Sequence, residues 1–357
     1  MKRIGAMLII ILVLTLLLAG CANWMSSEYL WIQPHEEQGV NSGDELIEVA
    51  SYTQLRNELK RLIAIGTEEV VISASDFNET SIDFYVSTAV NYILDDTAIG
   101  AYAVNKIAYE IGTNRGEPVV AFMIDYKHDA NEIKAIKQVS NNDEIFEEIK
   151  TALDACESSV VVHTSQYEQL ELTKWISAYA SENPDRIMEV PHSNFVTYPA
   201  TGDERIVEIT LTYLTDKQEL LEMQRQVQAV FTSAELYVKG TGQIIDVYSR
   251  LYSFLMERSE YIQETSITPA YSLLQEGKGD SAAFANVYAA MCKKSGLECN
   301  AVSGMREGEP WTWNVLRYRG RYYHVDLLRC NQKGNFEMID GKDFEGYDWD
   351  ITQYPIN

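Results

Sequence analysis

Ala270-Tyr271-Ser272-Leu273-Leu274-Gln275-Glu276-Gly277-Lys278-Gly279-Asp280-Ser281-Ala282-Ala283-Phe284-Ala285, followed by Gly308-Glu309-Pro310-Trp311-Thr312-Trp313-Asn314-Val315 and Gly320-Arg321-Tyr322-Tyr323-His324-Val325-Asp326, decides the reading of this chain. Asp280-Ser281 stands directly before an alanine-rich run, a strong helix former, so Ser281 reads as a helix N-cap. Residues 298–303, 311–318 and 321–328 read as strands, with Arg319-Gly320 as a tight turn between the last two. His324 and Asp326 stand two apart, so their side chains should share one face of a strand.

These stretches resemble the bacterial transglutaminase-like family of the papain-like superfamily, where the first reads AYGALxxGKGVCxGYA and the second HAWNxV, then GxWYHVD. The resemblance covers roughly the last third of the chain. It implies a helix packed on an antiparallel sheet, with the nucleophilic cysteine at Ser281, the histidine at Trp311 and the aspartate at Asp326. Of the three residue types only the aspartate is kept. The family's chemistry needs a thiolate at a helix N-terminus, an imidazole to carry the proton and a carboxylate to orient it. Serine is a far weaker acid, and the Trp311 indole N–H cannot accept a proton. A substitute triad of Ser281, His324 and Asp326 is a conceivable route back to hydrolysis, beside a site elsewhere in the chain, although active members often carry a histidine at that position beside the catalytic one.

The N-terminus carries a second signature. Lys2 and Arg3 precede an apolar run from Met7 to Leu18, and Leu18-Ala19-Gly20-Cys21 resembles a bacterial lipobox. The resemblance implies cleavage before Cys21 and lipidation of that cysteine. Acyl chains hold a bilayer through about 0.8 kcal/mol per buried methylene. The expected location is therefore extracytoplasmic, anchored to the bacterial cell membrane. The formal charge of −24 over 357 residues excludes a nucleic-acid partner, whose phosphates require Lys and Arg. Cys156, Cys292, Cys299 and Cys330 are too sparse for a disulfide scaffold, although Cys292 and Cys299 flank one turn and could meet. His35, His128, His163, His192 and His324 are scattered, with no metal-ligand spacing, and no cofactor is implied.

The middle of the chain reads as a duplication. Leu55, Leu59 and Ile63 recur as Ile145, Ile149 and Leu153; Val70-Val71-Ile72 recurs as Val160-Val161-Val162; Ile82, Tyr85, Val86 and Ala89 recur as Leu172, Trp175, Ile176 and Tyr179. Val119 to Tyr126 then recurs as Ile206 to Tyr213. Residues 98–111 are ambiguous, and Val190-Pro191 in the second copy argues for a strand or irregular edge there. The expected fold is α+β. It comprises a signal peptide (1–20), lipidated Cys21 and tether (21–48), repeat modules at 49–139 and 140–230, and a degenerate transglutaminase-like domain at 240–357. Each module is about ninety residues, too long for a solenoid repeat. A pair of them could enclose a ligand groove or serve as a spacer from the membrane.

The function expected is binding or scaffolding at the cell surface, toward peptidoglycan or a surface protein, with a serine hydrolase or amidase as the alternative. Trp311, Trp313, Tyr323 and Asp326 are the candidate binding residues, able to stack on sugars or hold a cation. Trp313 matches a family tryptophan that is often structural, whereas Trp311 either plugs the cleft or lines it.

Overall fold

The computed structural model describes residues 46–355 apart from 78–80 and 170, so residues 1–20, Cys21 and nearly all of the tether lie outside the described residues. The first folded stretch runs β1 (Ile47–Glu48), α1 (Tyr52–Ile65), β2 (Glu69–Ser73), α2 (Ile82–Asp96), α3 (Ala98–Ala103), β3 (Val104–Asn114) and β4 (Glu117–Tyr126). Ser51 caps α1, and Gly66 closes it in the left-handed conformation. Its sheet has the order β1-β2-β4-β3, parallel between β1 and β2 and antiparallel elsewhere. Leu59, Ile63, Val86 and Ile93 of α1 and α2 pack on Ile72, Val120 and Phe122 of this sheet.

A second stretch follows: α4 (Ala130–Lys134), β5 (Lys137–Val139), α5 (Asn142–Asp154), β6 (Ser159–Thr164), α6 (Leu172–Glu182), β7 (His192–Tyr198) and β8 (Arg205–Thr212). Its sheet order β5-β6-β8-β7 has the same sequence of parallel and antiparallel pairings as the first. Ile145, Ile149 and Ile176 fill the core between its helices and Val162, Val207 and Ile209.

The ambiguous segment after α2 holds a helix first and a strand second. Thr97 caps α3 through Gly100 N–H at 3.2 Å, and a Cβ at Gly100 would sit 1.9 Å from the Ile93 carbonyl oxygen. Only glycine lets α3 fold back so closely on α2. α3 reaches the other sheet, packing against β7 and β8, and Ile206 joins the first core.

α7 (Lys217–Val238) departs from the expected boundary near residue 230. Leu220, Val227, Phe231 and Ala234 are buried in one core with α8 (Ile244–Met256), because the apolar stripe of α7 runs its whole length toward the C-terminal elements. After α8 come β9 (Glu260–Tyr261), β10 (Lys278–Gly279), α9 (Ser281–Lys294), β11 (Cys299–Arg306), β12 (Glu309–Tyr318), β13 (Arg321–Val325), α10 (Leu327–Lys333) and β14 (Tyr347–Asp348). The C-terminal sheet is antiparallel with the order β13-β12-β11-β14. Arg319 (φ 52°) and Gly320 (φ 79°) make the tight turn between β12 and β13, and Glu307-Gly308 repeats it between β11 and β12.

Cys156, Cys292, Cys299 and Cys330 are buried free thiols. Burial pushes the Cys330 thiol up to about 11 and raises Cys292 as well. Among the described residues no helix is long and apolar enough to cross a membrane.

Candidate functional site

α9 and the C-terminal sheet present two faces with different contents. Leu316 and Val325 pack toward α9 in the larger core, while Trp313 and Val315 pack on the far face with Val302 and Phe344. Asn314 ties sheet to helix, its Nδ2 donating to the Ala285 carbonyl at 2.8 Å while its Oδ1 is buried without a partner.

The helix start differs by one residue from the sequence expectation. Asp280 is the N-cap: its Oδ1 accepts from Ala283 N–H at 2.8 Å, and Thr265 Oγ1 donates to its Oδ2 at 2.6 Å. Both residues are good caps, and the carboxylate also suits the positive end of the helix dipole. Ser281 becomes the first helical residue. Its hydroxyl accepts from the Thr312 N–H at 3.3 Å, a contact that supplies no base.

Asp326 is the focus of the site. It is 2 % exposed, and its Oδ2 accepts from Arg306 Nη1 (3.1 Å), Trp311 Nε1 (3.0 Å) and the Tyr347 hydroxyl (2.6 Å). Its Oδ1 accepts from Leu328 and Arg329 N–H at 2.9 and 3.1 Å, capping α10. The strand expected over 321–328 therefore stops at Val325, because Asp326 uses its carboxylate to start a helix. Burial and the adjoining Asp326 raise the Tyr347 phenol well above its ordinary range.

Trp311 is tied to Asp326 through its indole N–H. Its ring is half-buried, with the Tyr261 ring centroid 5.4 Å away and the Arg306 guanidinium 5.0 Å from its centroid. Trp311 packs against both cores, at the rim between them.

His324 does not serve as the substitute base. It opposes Val315 across the ladder and so lies on the face away from α9. Its Nδ1 accepts the Trp313 indole N–H at 3.0 Å, and its ring stacks on Phe344 at 4.8 Å. Burial pulls the imidazole down to about 4, so it is neutral at pH 7. Among the described residues its ring bonds to Trp313 and to neither Ser281 nor Asp326.

The other binding candidates separate. Trp313 is 1 % exposed and belongs to the core, while Tyr323 packs toward the α9 side. A Cβ at Gly304 would lie 2.2 Å from the Asp348 carbonyl oxygen and 2.7 Å from the Trp313 ring. Gly304→Ala is expected to destabilise the protein by about 1–3 kcal/mol through this overpacking, read as a lower urea midpoint; an unchanged midpoint would contradict the close approach.

Arg306, Tyr347 and Tyr261 escaped the sequence reading. The glycine turn at Glu307-Gly308 was the available signal for Arg306, since it places β11 beside β12. Among the described residues no group of three His, Cys, Asp or Glu side chains converges to hold a metal ion.

The family model of the transglutaminase-like superfamily matches residues 232–327. The match opens inside α7, in keeping with that helix sharing the C-terminal core. No curated protein matches the sequence. Among solved structures, a protein titled a TGase aligns at 11% identity with a TM-score of 0.27, over 58% of this chain and 60% of that one. A proposed cysteine protease from Cytophaga hutchinsonii aligns at 13% identity with a TM-score of 0.27, over 44% of this chain and 70% of that one. This chain thus spans less than two thirds of the first of these proteins, and neither likeness is close enough to carry an argument.

Proposed function

From the premise that residues 232–327 form a transglutaminase-like domain, we propose that this domain binds or scaffolds rather than catalyses. The observation that carries this reading is the Trp311 Nε1 to Asp326 Oδ2 hydrogen bond of 3.0 Å. An indole donates there and cannot take a proton, so Ser281 has no base. The serine hydrolase alternative loses its remaining support with His324, which lies on the other face of the sheet.

The binding surface we assign is the rim formed by Tyr261, 44% exposed, and Trp311, with Arg306 beside them. Aromatic faces with an adjacent cation suit a glycan or peptide of the cell envelope. The lipobox-like Leu18 to Cys21 supports a lipid anchor at Cys21, which holds this surface outside the cytoplasm.

The test rebuilds the missing pair. Ser281→Cys alone should behave as an ordinary thiol in alkylation by iodoacetamide. Adding Trp311→His should restore an imidazole oriented by Asp326, lower the thiol pKa and raise the alkylation rate at pH 6 by about tenfold or more. Equal rates in the two variants would mean that position 311 does not face position 281, and the degenerate-site reading would fall. Loss of acyl labelling in Cys21→Ala checks the anchor separately.

A further inference from the structure

A cleft of about 380 Å³ lies where α3 and residues 128–135 meet α5 and the second sheet, away from the site above. α3 contributes Tyr102, whose ring is stacked on His128 at 4.1 Å and met edge-on by Tyr198 at 5.5 Å. The Tyr102 side chain is 2 % exposed, lines this cleft, and its hydroxyl has no hydrogen-bond partner among the described residues. The similarly buried Tyr248 and Tyr288 instead donate to backbone carbonyls at 2.8 and 2.9 Å. The Tyr102 hydroxyl oxygen keeps contact with the cleft rather than being sealed in, so it is placed to meet a ligand there.

The walls of the cleft are acidic. Glu132, Glu148, Glu157 and Glu208 line it, with Lys137 as the one cation of the lining. Lys217 pairs with Glu157 at 2.6 Å, Tyr198 donates to Glu208 at 3.0 Å, and Glu132 accepts from Asp129 N–H at 2.8 Å. Glu148 has no partner among the described residues. Four carboxylates set against the ammonium groups of Lys137 and Lys217 leave the cleft acidic, with the His128 ring 3.6 Å from Glu132. A divalent metal is the wrong occupant, because it needs several oxygens converging at about 2.0–2.6 Å, and no three acidic or histidine groups converge among the described residues. Carboxylates spread around a cavity of this size match an elongated cation with its charges apart.

We propose that this cleft binds a small organic dication with an ammonium or guanidinium group at each end. One end lies between Glu148 and Glu208 and donates to the Tyr102 hydroxyl; the other meets Glu132. This goes beyond the proposed role of the C-terminal domain and is independent of it.

Calorimetric titration of the full chain with 1,4-diaminobutane at low salt tests the proposal, with n-butylamine and Mg²⁺ as comparison probes. The diamine should bind saturably, about tenfold or more tighter than butylamine, because each end meets its own carboxylate. Glu148→Gln removes a charge that the fold does not use and should weaken binding about fivefold or more. Tyr102→Phe keeps the ring stack and should weaken it too, with an unchanged thermal melt in both variants. Failure of the diamine to bind, equal affinity for butylamine, matching displacement by Mg²⁺, or full binding by Glu148→Gln would each overturn the assignment.

Discussion

Asp326→Ala should lower the unfolding free energy by about 3–5 kcal/mol, the largest single-residue effect expected in the C-terminal domain. The carboxylate is 2 % exposed and accepts from Arg306, Trp311, Tyr347 and two backbone N–H groups. Alanine strands all five donors and leaves the guanidinium of Arg306, 21% exposed, without its counter-charge. It also uncaps α10, worth about 1 kcal/mol by itself. Asp326→Asn is no remedy, since the amide keeps one acceptor oxygen, turns a donating NH₂ toward groups that themselves donate, and carries no charge. Urea denaturation of the two variants beside the parent protein measures this. A loss below about 1 kcal/mol in both would show that the carboxylate is not holding the cluster together. This one carboxylate joins β11, β12, β14 and α10.

The second large effect is a loss of stability in mild acid that originates at His324. Its imidazole sits at about 4 in the folded protein because burial disfavours the charged form, against about 6.5 for an unperturbed histidine. A depressed folded value means that the neutral form belongs to the native state. Stability from this group is complete above about pH 6.5 and declines as pH falls toward about 4, because the unfolded chain takes up the proton first. The full loss across that window is about 3 kcal/mol. His324→Asn keeps an acceptor for the Trp313 N–H and cannot titrate, so its stability should fall less steeply with acid than that of the parent. Parallel pH–stability curves for the two proteins would contradict the assignment, whatever their offset.

The parts of this architecture that were legible in the sequence are those specified locally. The helix at Ser281–Lys294, the turn at Arg319-Gly320 and strands β11 and β12 follow from propensity, turn chemistry and short-range pattern. The meeting of positions 311 and 326 followed from a resemblance carried by two long motif stretches. Tyr347 was out of reach because it is brought beside Arg306 of β11 by β14, a two-residue strand with no period to read. The one-residue error at the helix start has a simple cause: Asp280 and Ser281 are near-equal caps by residue type, and the Thr265 bond to Asp280 is a tertiary contact that the local sequence does not announce. His324 was placed on the correct strand, but which face holds α9 depends on packing that alternation alone does not reveal.

The reach of α3 has a consequence for how the protein is made. α3 covers the face of the second sheet that carries Ile206 and Val161, whereas the matching face of the first sheet leaves Val71 and Met123 43% and 59% exposed. The cover is mutual, since Ile206 and Tyr198 in turn pack on α3, but the later unit emerges with an apolar surface already needing a lid. Because a chain folds from its N-terminus as it is synthesised, that lid is in place when the second sheet arrives. A fragment beginning after residue 135 would leave the ribosome without it, with β6 and β8 open to sticking to one another between molecules.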